Sequence, residues 1–235
     1  MDRQLCASSF SNNLEKTDTF HFERTLMRSG YLCVVGVDEA GRGPLAGPVV
    51  AGCVTLPEDC DYRLFKDSKK LTPSRRDKLF DLLHTCGAGI GFAVVSAEEI
   101  DRINILQASL KAMAMAVSNM AEQYDAAPDF LLVDGQFTAP VKLPQEALVK
   151  GESKSASIAA ASIIAKVTRD RLMAGYHEQF PEYNFLKNKG YPTADHRLAI
   201  REHGPCSIHR RTYKGVREYL EQDKINPPSL QKGLW

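Results

Sequence analysis

The 235-residue sequence has no CxxC pair, no run of about 18 apolar residues and almost no net charge. Each absence closes off a class of protein. Six cysteines stand singly at Cys6, Cys33, Cys53, Cys60, Cys86 and Cys206. They have no metal-ligand spacing, so neither a zinc module nor a disulfide framework is expected, and isolated thiols suit a reduced compartment. Nothing in the chain is apolar for long enough to span a bilayer. Residues 1–11 lack the charged start and apolar centre of a secretory signal, so a cytoplasmic location is expected. Thirty Lys and Arg against 29 Asp and Glu leave a formal charge of +1, which excludes a chain basic all over but not one with a basic face.

What remains is an ordinary globular composition, 43% hydrophobic and 25% charged. A chain of this length buries roughly 70% of its unfolded surface and needs no disulfide or metal merely to fold. Residues 31–37 and 48–56 are β-branched-rich runs that read as a strand pair, joined by the turn sequence Gly41-Arg42-Gly43-Pro44. Thr72 before Pro73 is a helix start for residues 75–84. Further strands are expected at 87–95, 130–133 and 147–150, and helices at 104–124, 153–180 and 193–203. The stretch 155–167, rich in Ala and Ser and bracketed by Lys154 and Arg169, reads as a buried helix. The class is α/β with a mixed sheet. The expected organisation is a polar N-terminal extension over 1–29 with a short helix near 20–27, one domain over 30–222, and a tail over 223–235.

Certain acidic residues do not fit a bland fold. Asp38 and Glu39 end one apolar strand, Asp134 ends another, and Asp170 interrupts a helix of Ile, Ala and Val. Such carboxylates are costly unless paired, exposed or bound to a cation. Four converging acids suit a pair of hard divalent ions, the arrangement that promotes phosphodiester hydrolysis. Neighbouring strand residues point to opposite faces, so Asp38 and Glu39 share a cluster only if the strand breaks there, and Gly41 and Gly43 suggest such a break. The basic residues are also uneven. Residues 166–217 hold eleven Lys and Arg against five acids, and residues 61–78 hold seven against three. Basic stretches beside an acidic site suggest a footprint for nucleic-acid phosphates.

The segment 37–50, VDEAGRGPLAGPVV, resembles ribonuclease HII, and further matches follow in that family's order: DSKKL at 67–71, LVDG at 132–135, KGESKS at 150–155, AASIIAKVTRD at 160–170, KGYPT at 189–193 with His196, and IHR at 208–210. The resemblance covers roughly residues 31–220. It implies an RNase H-like fold with a mixed central sheet flanked by helices and a C-terminal helical segment. It also implies a metal-dependent endonuclease that cuts the RNA strand of RNA–DNA hybrids and single ribonucleotides embedded in duplex DNA. Carried over, the metal-binding acids fall on Asp38, Glu39, Asp134 and Asp170, with two Mg²⁺ or Mn²⁺ ions expected alongside substrate. Gly41, Arg42 and Gly43 fall where the family contacts the ribose 2′-OH and phosphate, and Tyr191 where it packs on the sugar. Lys69, Lys154, Lys166, His196 and Arg210 are expected to contact substrate or lie near it. Lys166 is also one helical turn before Asp170, which allows a local ion pair. Glu152 stands where the family more often has Asp, and Asn188 where a basic residue or His is commoner. A monomer is expected, and no motif names a protein partner. The rival readings are a ribonuclease HIII-like nuclease and a non-catalytic hybrid-binding module.

Overall fold

The computed structural model describes residues 18–65, 68, 71–124 and 127–220. Residues 1–17 of the expected extension, the expected tail and Lys69 lie outside the described residues. The β-branched runs form β1 (Val34–Ala40) and β2 (Val49–Thr55), which pair antiparallel. β3 (Gly89–Val95) adds antiparallel to β2, while β4 (Phe130–Asp134) and β5 (Gln145–Leu148) extend the other side in parallel. The order is β3-β2-β1-β4-β5. The sheet is mixed, as the sequence implied.

Seven helices are described: α1 (His21–Arg28), α2 (Pro73–Thr85), α3 (Ala97–Ile103), α4 (Ile105–Gln123), α5 (Ala156–Gln179), α6 (Phe185–Asn188) and α7 (Ala194–His203). The Thr72 side chain caps α2 by accepting from the Arg75 amide at 3.3 Å, with Pro73 in the first turn as expected. Helix α3 was not anticipated. Its start carries a Ser-x-x-Glu sequence, and Ser96 accepts from the Glu99 amide at 3.2 Å. Asn104, at φ 67°, ends α3 and caps α4 through its own side chain.

The two faces of the sheet are covered by different helices. Val35 and Val37 of β1 join a core cluster with Ala108, Ala112 and Met113 of α4. Val34 points the other way and packs with Leu132 and Ile158, on the side of α5. Gly36 lets α5 come this close: a Cβ there would lie 2.1 Å from the Ser157 backbone carbon. A third cluster joins Leu45 and Ala46 to Met173, Phe185, Ile200 and Val216, so the C-terminal helical part seats the loop after β1.

The N-terminal segment, from residue 18 on, belongs to this body and is not a separate extension. Phe20 is buried, and the Thr19 carbonyl accepts from the Ala156 amide at 2.7 Å. Glu23 is buried against the start of α5, where its Oε1 accepts from Ser155 Oγ, Ser157 Oγ and the Ser157 amide at 2.5, 2.6 and 3.0 Å. Helix α1 therefore caps α5, the helix that carries Asp170.

Candidate active site

Strand register brings the first acids together. β1 and β4 run parallel with Val37 opposite Val133, so the next residues, Asp38 and Asp134, stand side by side where the pairing of the two strands stops. Alternation puts both on the α5 side of the sheet, with Val34 and Leu132. Asp38 is buried, and its Oδ1 accepts from the Glu39 amide at 2.7 Å. Asp134 Oδ1 accepts from the Gly151 amide at 2.6 Å. The expected break in β1 is absent: Glu39 pairs with Ala51 and Ala40 with Val50. The parallel partner β4 ends instead, so the strand edge is open on that side while β2 holds the other.

Burial, then the charges of Glu39, Glu152 and Asp134, push the Asp38 carboxyl well above its ordinary value. Four carboxyl groups crowd here, with the Arg42 guanidinium 3.3 Å from Glu39. Sequence reasoning missed Glu152 as part of this group, because it appeared only as a variant letter within a motif. It is buried at a 3-10 turn, Gly151–Ser153, and accepts from Ser68 Oγ at 3.4 Å. Asp170 is engaged by cations. Its Oδ1 lies 2.7 Å from Lys166 Nζ and its Oδ2 3.9 Å from Arg76, so the local ion pair one turn along α5 is present. Among the described residues, no three His, Cys, Asp or Glu side chains form a ready ligand set as they stand. The donors gathered at Asp38 are nonetheless all carboxylate oxygens around a buried, electrostatically raised acid. A hard divalent cation satisfies that chemistry.

Beside the acids, the Gly41–Gly47 loop is held from within by two buried arginines. Gly41 has φ +101°, and a Cβ there would meet the Arg169 side chain at 2.2 Å, so only glycine fits. Arg169 Nε donates to the Pro48 carbonyl at 3.0 Å, and its Nη atoms donate to the carbonyls of Lys189 at 3.0 Å and Ala46 at 3.2 Å. Arg210 donates to the carbonyls of Gly47 at 3.1 Å, Arg42 at 2.9 Å and Gly41, and to the Tyr213 hydroxyl at 3.2 Å. Arg210 is wholly buried, so the expected substrate contact is corrected: its donors serve the loop backbone. His196 is corrected in the same way. It is fully buried, with Nδ1 2.9 Å from the Tyr191 carbonyl and Nε2 3.1 Å from His209 Nε2. Arg169 lay in plain view within a quoted motif. An Arg in a helix of Ala, Ile and Val carries the same signal as Asp170.

Tyr191 itself is 43% exposed, and its ring lies beside the loop: a Cβ on Gly43 would be 3.7 Å from Tyr191 Cε1. Arg42, Gly43 and Lys154 are exposed, and Lys166 is half-buried. The site thus has an acidic end, a glycine loop with inward carbonyls, and an exposed phenol ring across that loop.

This fold has known relatives. The ribonuclease H2 of Pyrococcus horikoshii superposes with a TM-score of 0.67 at 30% identity, covering 83% of this chain and 100% of that one. The architecture is the RNase H-like fold of the ribonucleases H. The sequence narrows it further. Ribonuclease HII of Desulfotalea psychrophila is 56% identical over 204 residues, 87% of this chain and 90% of that protein. The protein of the same name from Geobacter metallireducens is 53% identical over 199 residues, 85% of this chain and 92% of its own length. The ribonuclease HII family model matches residues 35–216, and the chain belongs to that family. It is a type 2 ribonuclease H, an endonuclease that hydrolyses RNA in RNA–DNA hybrids.

Proposed function

We propose that the enzyme cuts on the 5′ side of ribonucleotides, both in hybrids and singly embedded in duplex DNA, and leaves 3′-OH and 5′-phosphate ends. The reading is supported by Asp38 and Asp134 side by side where the parallel pairing of β1 and β4 stops, with Glu39 and Glu152 in electrostatic reach. Asp38 and Asp134 would be the central ligands of two Mg²⁺ or Mn²⁺ ions, with Glu39 and Asp170 at the margins. Such ions, when bound, lower the pKa of an attacking water and offset charge on the phosphate. Asp170 would have to exchange its Lys166 contact for that role, and Lys166 would then be free to meet phosphate.

The chain's own part is orientation. The glycine loop presents backbone to the ribose, and the 2′-OH is the group that separates RNA from DNA. A Cβ on Gly43 would meet the Tyr191 ring and nothing else within 4 Å, so the exposed Gly43 backbone and the ring lie side by side to receive a sugar. Tyr191 would pack on that sugar, and Lys154 and Arg42 would meet flanking phosphates. Lys69 keeps its expected phosphate role. Cytoplasmic action as a monomer fits the reading, and among the described residues no helix is long and apolar enough to cross a membrane.

The deciding experiment is incubation with duplex DNA holding one ribonucleotide, with and without Mg²⁺ or Mn²⁺, followed by end mapping. Cutting 5′ of the ribonucleotide, only with metal, is expected. A 2′,3′-cyclic phosphate end, or full activity in excess chelator, overturns the mechanism.

A further inference from the structure

Two buried histidines do nothing in the chemistry above, yet their hydrogen bonds are determined at both ends. A backbone amide can only donate, and the Cys206 amide points at His209 Nδ1 at 3.0 Å. That nitrogen therefore lacks a proton, and neutral His209 carries its proton on Nε2. A carbonyl can only accept, and the Tyr191 carbonyl faces His196 Nδ1 at 2.9 Å. His196 therefore carries its proton on Nδ1, and its Nε2 is the acceptor. The two Nε2 atoms are 3.1 Å apart, which is what one donor and one acceptor require. The protons thus run in one direction, from the Cys206 amide through both rings to the carbonyl of Tyr191.

We infer that His196 and His209 are positioning residues: their fixed tautomers aim the 189–192 segment so that the exposed Tyr191 ring is held beside Gly43, where it can pack on a ribose. The surroundings keep the pair neutral. Tyr183 and Phe185 pack against both rings, and the Cys206 sulfur lies 3.1 Å from His209 Nδ1. Burial, then the neighbouring His196, holds His209 down to about 3, and burial lowers His196 as well. The other supports of the segment come from different directions. The Leu45 amide donates to the Gly190 carbonyl at 2.8 Å, the Thr193 amide to that of Tyr191 at 2.8 Å, and Arg169 to that of Lys189. His196 ties the Tyr191 carbonyl to the buried side of α7, while Arg197 of α7 holds the Pro192 carbonyl at 3.2 Å and Asn188 Oδ1 the Gly190 amide at 2.8 Å. The inference rests on the proposed packing of Tyr191 against the sugar.

The test uses the full-length enzyme and duplex DNA with a single ribonucleotide. His196→Leu should raise KM roughly tenfold, the scale of one well-made hydrogen bond, with kcat changed less than about threefold. His196→Asn, whose amide N–H falls where Nδ1–H lay, should restore most of the loss. In a Tyr191→Ala background, His196→Leu should cost little more. If Tyr191→Ala leaves KM for this substrate unchanged, the sugar-packing role and this inference fall together. If Tyr191→Ala raises KM but His196→Leu does not, or costs as much without the Tyr191 ring as with it, the positioning role alone falls. Long-range ¹H–¹⁵N spectra of the wild-type histidines decide the matter even if the variants fold poorly. His196 protonated on Nδ1 and His209 on Nε2 are expected, and any other pair of tautomers overturns the inference.

Discussion

Replacing Arg210 by Met separates two roles that predict opposite results. A phosphate contact on the surface would contribute little to folding, but would add about 0.9 to the slope of log affinity against log salt. Burial and geometry assign the other role. Three carbonyls, those of Gly41, Arg42 and Gly47, accept from this one guanidinium. Met fills similar volume but leaves the carbonyls of Gly41 and Gly47 without that donor, while that of Arg42 keeps the Tyr213 hydroxyl at 3.2 Å. Each orphaned buried carbonyl costs about 1–3 kcal/mol. Part of this is offset because the variant no longer desolvates a charge whose hydrogen-bond partners are carbonyls and a phenol rather than a carboxylate. The net expectation is a loss of about 3 kcal/mol, which in a domain of this size lowers Tm by roughly 6–12 °C. Activity on hybrid should fall further, because a loop displaced by about 1 Å can cost 10²-fold. Differential scanning calorimetry gives the first number, and binding to uncleavable hybrid between 50 and 200 mM salt gives the slope, which should not change. A variant that melts like wild type and binds with a slope shallower by about 0.9 would falsify the loop-holding role.

Four further outcomes follow from single features. Asp134→Asn should abolish cleavage while hybrid binding survives, because it removes charge from a crowded carboxylate group; wild-type turnover by gel assay removes Asp134 from the site. Gly36→Ala forces a Cβ to within 2.1 Å of the α5 backbone, so soluble protein should melt at least about 3 kcal/mol below wild type by urea titration; an unchanged melt refutes the close contact. Gly43→Ala meets only the Tyr191 ring at 3.7 Å, so it should fold normally while losing discrimination between ribo- and deoxyribonucleotide; unchanged discrimination removes the loop from sugar recognition. Burial outweighs the Ser155 and Ser157 hydrogen bonds and raises the Glu23 carboxyl above its ordinary 4.5. The folded state then holds this proton more tightly than the unfolded chain, so wild-type stability relative to Glu23→Gln should fall as pH rises from 4.5 through the raised value, and level off above it. A difference that is flat or rises over that window contradicts the buried cap.

The strands and the Ala-rich buried helix were legible, and Asp38, Glu39, Asp134 and Asp170 stood out, because each is a local pattern: a run, a period, or a charge where the period demands an apolar residue. What the sequence hid is non-local. Side-chain alternation along β1 alone calls for a break after Asp38. In the fold β1 runs on to Ala40 against β2, and the opening arises because its other neighbour, β4, stops at Asp134. No pattern within β1 encodes where β4 ends. Arg210 and His196 show the same limit from the other side. A basic residue in a motif reads as a hand held out to phosphate, and only the burial of its whole side chain reveals that its donors are turned inward. The same inward turn explains how such a glycine-rich loop can be both mobile in principle and fixed in practice. Glycine supplies the backbone geometry at Gly41 at the expense of unfolded-state entropy. The order is then restored by guanidinium groups more than 120 residues away in sequence, at Arg169 and Arg210. A glycine loop built this way depends for its shape on two buried side chains beneath it, so loss of either arginine should resemble loss of the loop itself.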